Sequence, residues 1–165
     1  MRRIAVIDAT PLISLVHLEL AEELRFFFNT IYVPSTVQRE VNREGRFRYR
    51  LRKLYRTAIF ERCTSADPYG VDLLLATLDP GESEALVQGQ EKQARYFIGD
   101  DREARKTCAG YGLTAVGTVR LLARLHLEGQ AESPIALVRK LRRDLDFRVT
   151  QQVIDQAISL APQPI

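Results

Sequence analysis

Short apolar runs alternate along the chain with stretches of helical period. Ile4-Ala5-Val6-Ile7 is continuously apolar and rich in β-branched residues, the pattern of a strand buried on both faces. Asp8 ends it. Thr10 is a good N-cap and Pro11 a good first helical residue, so a helix is expected there with Leu12, Ile13, Val16 and Leu20 on its apolar face. A second short helix is expected over about 21–28. Ile31-Tyr32-Val33 reads as a strand stopped by Pro34, and Ser35 caps a helix whose Val37 and Val41 are one turn apart. The basic stretch that follows alternates like a strand, but Phe47, Leu51, Leu54, Tyr55 and Ala58 keep helical spacing over a longer run, so a helix is expected.

Ala58 to Arg62 reads as extended, and Val71 to Leu78 as a short apolar helix. Asp79-Pro80-Gly81 reads as a turn before a helix over 82–93. Arg95 to Gly99 is a strand, followed by a helix from Asp101 to Ala109 ended by Gly110. Thr114-Ala115-Val116 is a strand, and Gly117-Thr118 opens a helix to about Glu128. Helices over Pro134 to Leu145 and Gln151 to Leu160, the second capped by Thr150, complete the chain. Strands alternating with helices imply an α/β fold of three layers, with a central parallel sheet of four to five strands. The 165 residues fit one domain, 1–165, with the C-terminal helices of about 133–161 packed as part of it.

Composition narrows the class. With 45% apolar and 27% charged residues the chain is expected to be globular. No run approaches the ~18–20 apolar residues of a membrane span. The N-terminus lacks the apolar stretch of a signal peptide, so a cytoplasmic protein is expected. Cys63 and Cys108 have no zinc-ligand spacing and are expected as reduced thiols; His17 and His126 stand in no nucleophile–base pattern. The net charge of +3 is unevenly placed: Arg46, Arg48, Arg50, Arg52, Lys53 and Arg56 fall within eleven residues without an acid, and Arg139, Lys140, Arg142 and Arg143 form a second cluster. Such patches are an electrostatic footprint of nucleic-acid binding, and also the ordinary look of a solvated helix face.

The chemistry lies in acids at the ends of apolar runs. Asp8, Glu40, Glu84 and the pair Asp100-Asp101 are distant in sequence, but a parallel sheet brings strand ends to one edge. Clustered carboxylates raise one another's pKa and call for a cation, and hard divalent ions take oxygen ligands. A metal-dependent phosphodiesterase follows, most simply a ribonuclease. A Rossmann-like nucleotide binder is disfavoured, because neither Gly-x-Gly-x-x-Gly nor a Gly-Lys phosphate loop is present.

Five motifs carry a family resemblance: Asp8-Ala9-Thr10-Pro11-Leu12-Ile13, Val33-Pro34-Ser35-Thr36-Val37-Gln38-Arg39-Glu40-Val41, Leu78-Asp79-Pro80-Gly81-Glu82-Ser83-Glu84-Ala85, Ile98-Gly99-Asp100-Asp101-Arg102-Glu103-Ala104-Arg105 and Val116-Gly117-Thr118. In this order the chain resembles the PIN-domain family, in a VapC-like branch with a DUF3368-type pattern. The resemblance implies a PIN-like fold and RNA cleavage with Mg²⁺ or Mn²⁺ held at the C-terminal edge of the sheet. It implies Asp8, Glu40, Glu84 and Asp101 as catalytic acids, with Asp8, Asp101, Asp100 and Glu84 toward metal. Thr10 and Glu82 would support the site; Glu82 stays open as the third acid, and Asp100 as the fourth. It further implies a homodimer and, for a toxin, a small antitoxin partner. Arg46, Arg48, Arg50 and Lys53 are candidates for phosphate contacts and Tyr49 for base stacking, whereas Phe47 and Leu51 fit the core better. The chain departs from the family in having Glu for Asp at the third acid, Gly99 in place of a hydroxyl residue, and a longer basic insertion after Glu40. These departures favour the alternative, a non-catalytic nucleic-acid-binding module.

Overall fold

The computed structural model describes residues 3–43 and 45–165; Met1, Arg2 and Glu44 lie outside them. Five parallel strands, β1 (Ile4–Ile7), β2 (Thr30–Pro34), β3 (Phe60–Cys63), β4 (Tyr96–Ile98) and β5 (Thr114–Val116), pair in the order β3-β2-β1-β4-β5. The chain direction across the sheet therefore reverses between β1 and β4. In α/β sheets such a switch point opens a crevice at the carboxyl ends of the strands. Asp8 and Gly99-Asp100-Asp101 lie at that point.

Alternation along the buried strands builds the two outer layers. Ala5, Ile7, Tyr96 and Ile98 face one core, with Leu12 and Leu15 of α1 (Ala9–His17), Val37 and Val41 of α2 (Ser35–Arg43), and Leu51 of α3 (Arg48–Leu54). The same core takes Leu121 of α7 (Thr118–Leu127), Leu141 of α8 (Pro134–Leu145) and Ile154 of α9 (Gln151–Leu160). Val6 and Phe97 face the other side, against Leu86 of α5 (Pro80–Glu91) and Ala104 of α6 (Arg102–Thr107). The three-layer reading holds. Among the described residues no helix is long and apolar enough to cross a membrane.

Several boundaries move, each for a local reason. The first helix starts at Ala9 with Asp8 as its N-cap, and Pro11 sits inside the first turn, where a missing N–H costs nothing. The segment after it is a 3₁₀ turn, Ala21–Phe26. Helical spacing wins over alternation in the basic stretch: Phe47, Leu51 and Leu54 are buried while Tyr49 is 78% exposed. The helix expected to end at Gly110 passes into a 3₁₀ turn that Gly112 closes at φ +71. The apolar helix expected over 71–78 forms earlier, as α4 (Pro68–Leu74) capped by Asp67, and buries none of its residues. The two cysteines are free and buried.

Candidate metal centre

The site is assembled on three helix starts and one helix interior. Asp8 ends β1 and is only 5% exposed. Asp79 caps α5 through a capping box: its Oδ1 accepts the Glu82 N–H at 2.9 Å, and Glu82 Oε2 accepts the Asp79 N–H at 3.2 Å. Glu40 reaches in from α2. Gly81, in the first turn of α5, marks where they meet. A Cβ at that position would lie 3.2 Å from Asp8 Oδ1, 3.3 Å from Glu40 Oε2 and 3.5 Å from Asp79 Oδ1. Three carboxylate oxygens thus surround a space that any other residue would fill.

The electrostatics agree. Burial, followed by the charges of Asp79, Glu82 and Glu40, pushes the Asp8 carboxyl up to about 8, against an opposing hydrogen bond from the Ala9 backbone. Burial and then Asp79, with smaller contributions from Asp101 and Glu40, push Glu82 up to about 7, although the Asp79 N–H opposes the rise. Glu40 rises through burial and Asp79, offset by Arg43. Asp101 caps α6, its Oδ1 accepting from Glu103 N at 2.7 Å and Ala104 N at 2.9 Å.

The remaining candidate acids are engaged elsewhere. Glu84, 6% exposed, accepts from Ser35 Oγ at 2.8 Å, Thr36 N at 2.7 Å and Gln88 Nε2 at 3.0 Å. Gln88 in turn accepts from the Cys63 thiol. Glu84 and Glu82 leave the helix on different sides, and it is Glu82 that joins Asp8. Asp100 accepts from Thr118 N at 2.8 Å and Thr118 Oγ1 at 2.5 Å, so it ties the end of β4 to the first residue of α7; burial raises its pKa against those two bonds and the Arg105 charge. Asp79 was not among the acids the sequence singled out. Asp79-x-x-Glu82 is the pattern that marks a capping box, and it was the available signal.

The basic stretch divides. Arg46 stacks 4.8 Å from the Phe47 ring centroid and lines a cleft with Thr10 and Asp100. Arg48 and Tyr49 are exposed. Arg50 instead bonds the carbonyls of Val16 and His17 and pairs with Glu19 at 2.9 Å, and Lys53 lies 3.8 Å from Glu22. His17 pairs with Asp144 at 2.9 Å and packs edge-on to Phe47, an architectural contact.

The donor set fits a hard divalent cation. It is all carboxylate oxygen, it borders a cradle kept open by Gly81, and burial, then the neighbouring acids, raises the pKa of two of its members, Asp8 and Glu82. Among the described residues no three acidic, histidine or cysteine side chains are drawn tightly enough to enclose an ion. A divalent ion there would keep much of its water shell and meet one or two carboxylates directly.

The family model DUF3368, a PIN domain, matches residues 4–163. The chain belongs to the PIN-domain family. Members of this family are generally nucleases that use divalent metal ions. Among solved structures, a PilT N-terminus domain protein from the hyperthermophilic archaeon Sulfolobus solfataricus P2 is similar at 16% identity, with a TM-score of 0.52 over 73% of this chain and 91% of that one. That likeness speaks to the fold alone. No curated protein matches the chain.

Proposed function

We propose that this PIN-domain chain is a Mg²⁺- or Mn²⁺-dependent endoribonuclease that hydrolyses phosphodiester bonds of single-stranded or structured RNA. The observation that carries the reading is the convergence of Asp8, Glu40 and Asp79 on the space beside Gly81, with Glu82 and Asp101 in electrostatic reach. Asp8 and Glu82 would hold the ion directly, and Asp101, Glu40 and Asp79 would orient its water shell. The ion supplies Lewis-acid stabilisation of the phosphoryl oxygens and acidifies water at neutral pH. The chain's own part is to hold the acids at fixed angles through helix starts that pack on the sheet edge. Thr10 stands two residues beyond Asp8 to meet the strand, while Arg46 and Arg48 contact phosphates and Tyr49 offers an exposed ring to a base.

We further place the chain as the toxin of a toxin–antitoxin pair, working as a homodimer. A protein partner is supported by α4 and its end, where Tyr69, Leu73 and Leu75 are exposed just before Asp79.

The test is a gel assay of mixed-sequence single-stranded RNA with Mg²⁺, Mn²⁺ or EDTA, beside Asp8→Asn and Asp101→Asn. Metal-dependent cleavage that both substitutions abolish is expected. RNA binding with no cleavage in either metal would favour a non-catalytic nucleic-acid-binding module.

A further inference from the structure

A cleft of about 350 Å³ opens at the switch point on the side of α1. Thr10 lines it from the first turn of α1, Asp100 from the end of β4, and Arg46 from the turn before α3. Its outer wall is the end of α8 and the segment after it, where Leu145 and Phe147 are apolar and Arg148 stands 88% exposed at the rim. The two cations come from segments a hundred residues apart in sequence, and neither belongs to the acid cluster. The size falls at the lower end of small-ligand sites, enough for one nucleotide-sized group.

Position gives the cleft its meaning. Thr10 is two residues from Asp8, and Asp100 directly precedes Asp101, so the cleft adjoins the acids along the sheet edge. An apolar wall with a few polar groups is the usual lining for an organic ring. Two guanidinium groups are the usual partners for phosphate oxygens, which they meet in a planar fork.

We infer that this cleft seats the nucleotide flanking the scissile bond of a single-stranded RNA, with Arg46 and Arg148 on its phosphates and the Leu145–Phe147 wall against its base. The inference rests on the nuclease reading for what happens at the acids, but binding alone tests it. Arg148 pairs with Asp146 at 3.0 Å, so the arriving phosphate replaces a carboxylate as its partner. Asp146 thereby competes with RNA. It also sits at φ +52, a left-handed conformation that asparagine tolerates as well as aspartate, so the charge can be removed without disturbing the turn.

The measurement is fluorescence anisotropy of a labelled single-stranded RNA oligomer with the full chain in EDTA, across a series of salt concentrations. Arg148→Ala and Arg46→Ala are each expected to weaken binding roughly fivefold and to lower the slope of log K against log salt by about 0.7, the loss of one single-strand phosphate contact. Asp146→Asn is expected to strengthen binding. Arg25→Ala, whose guanidinium pairs with Glu23 at 2.9 Å, is expected to leave the slope unchanged. Unaltered affinity and slope in Arg148→Ala, or weaker binding in Asp146→Asn, would overturn the inference. Such a failure would be separable from failure of the nuclease reading, which the cleavage gel reports with metal present.

Discussion

Thr36 donates its backbone N–H to Glu84 Oε2 at 2.7 Å, which pins the start of the helix carrying Glu40 to the helix carrying Glu82. A buried carboxylate at a helix N-terminus satisfies donors that have no partner within the helix and favours the positive helix end. Removing it orphans the Thr36 N–H and the Ser35 hydroxyl. Glu84→Ala is therefore expected to cost about 1–3 kcal/mol in chemical denaturation. Glu82→Gln keeps a capping-box acceptor and is expected to change stability little while weakening Mn²⁺ binding about tenfold or more. The reverse pattern, with metal lost on Glu84→Gln in a stable protein and retained in Glu82→Gln, would return the third acid to Glu84.

Stability of the metal-free protein should fall as pH rises. The folded-state pKa of Asp8 is raised to about 8 and that of Glu82 to about 7, above the values they take when unfolded. Between the unfolded and folded values the unfolded chain has released a proton that the native state keeps, so the unfolding free energy declines across that window. The contribution is fully present below about pH 4 and is lost as pH passes through the folded values. Thermal unfolding in EDTA checks this. Asp8→Asn is expected to flatten the profile and, near pH 8, to melt at a higher temperature than the wild type. A wild-type Tm that is flat or rising over that window would contradict the burial of Asp8 among other acids.

Gly81→Ala separates folding from ion binding. Gly81 lies in the first turn of a helix, where alanine is the better helix former by up to about 1 kcal/mol, and its φ is not in the left-handed region. The added methyl group would press on Asp8 and Glu40 oxygens at 3.2 and 3.3 Å. A folded protein with Mn²⁺ affinity reduced about tenfold or more is expected in calorimetry. Unchanged affinity would place the ion away from Gly81.

How much of this was legible in the sequence depends on the range of the interaction. The strands were readable because runs such as Ile4–Ile7 are apolar without a break, and topology then set Asp8 and Asp101 on one edge. Glu40 was readable only through its motif, since an acid on a helix has no local distinction. Glu82 and Glu84 are two residues apart, about 200° around a helix, so the sequence implies that they face opposite ways without saying which faces Asp8. Ser35 and Thr36 decide it, and they come from another element. Asp79 went unread because Asp-Pro-Gly announces a turn as readily as a cap. Arg148 owes its place to the left-handed turn at Asp146, which aspartate does not advertise as glycine would. The leucines of α4 promised a buried helix, yet burial depends on what the rest of the chain leaves uncovered.

The most direct test of the acid cluster is a Mn²⁺ titration near pH 7 in two buffers of different ionisation enthalpy. Metal binding must expel the protons that Asp8 and Glu82 hold, so about one proton per ion is expected to be released. Asp8→Asn should bind weakly and release fewer. Failure to bind, or binding without proton release that Asp8→Asn leaves unaltered, would contradict a metal centre built on these carboxylates.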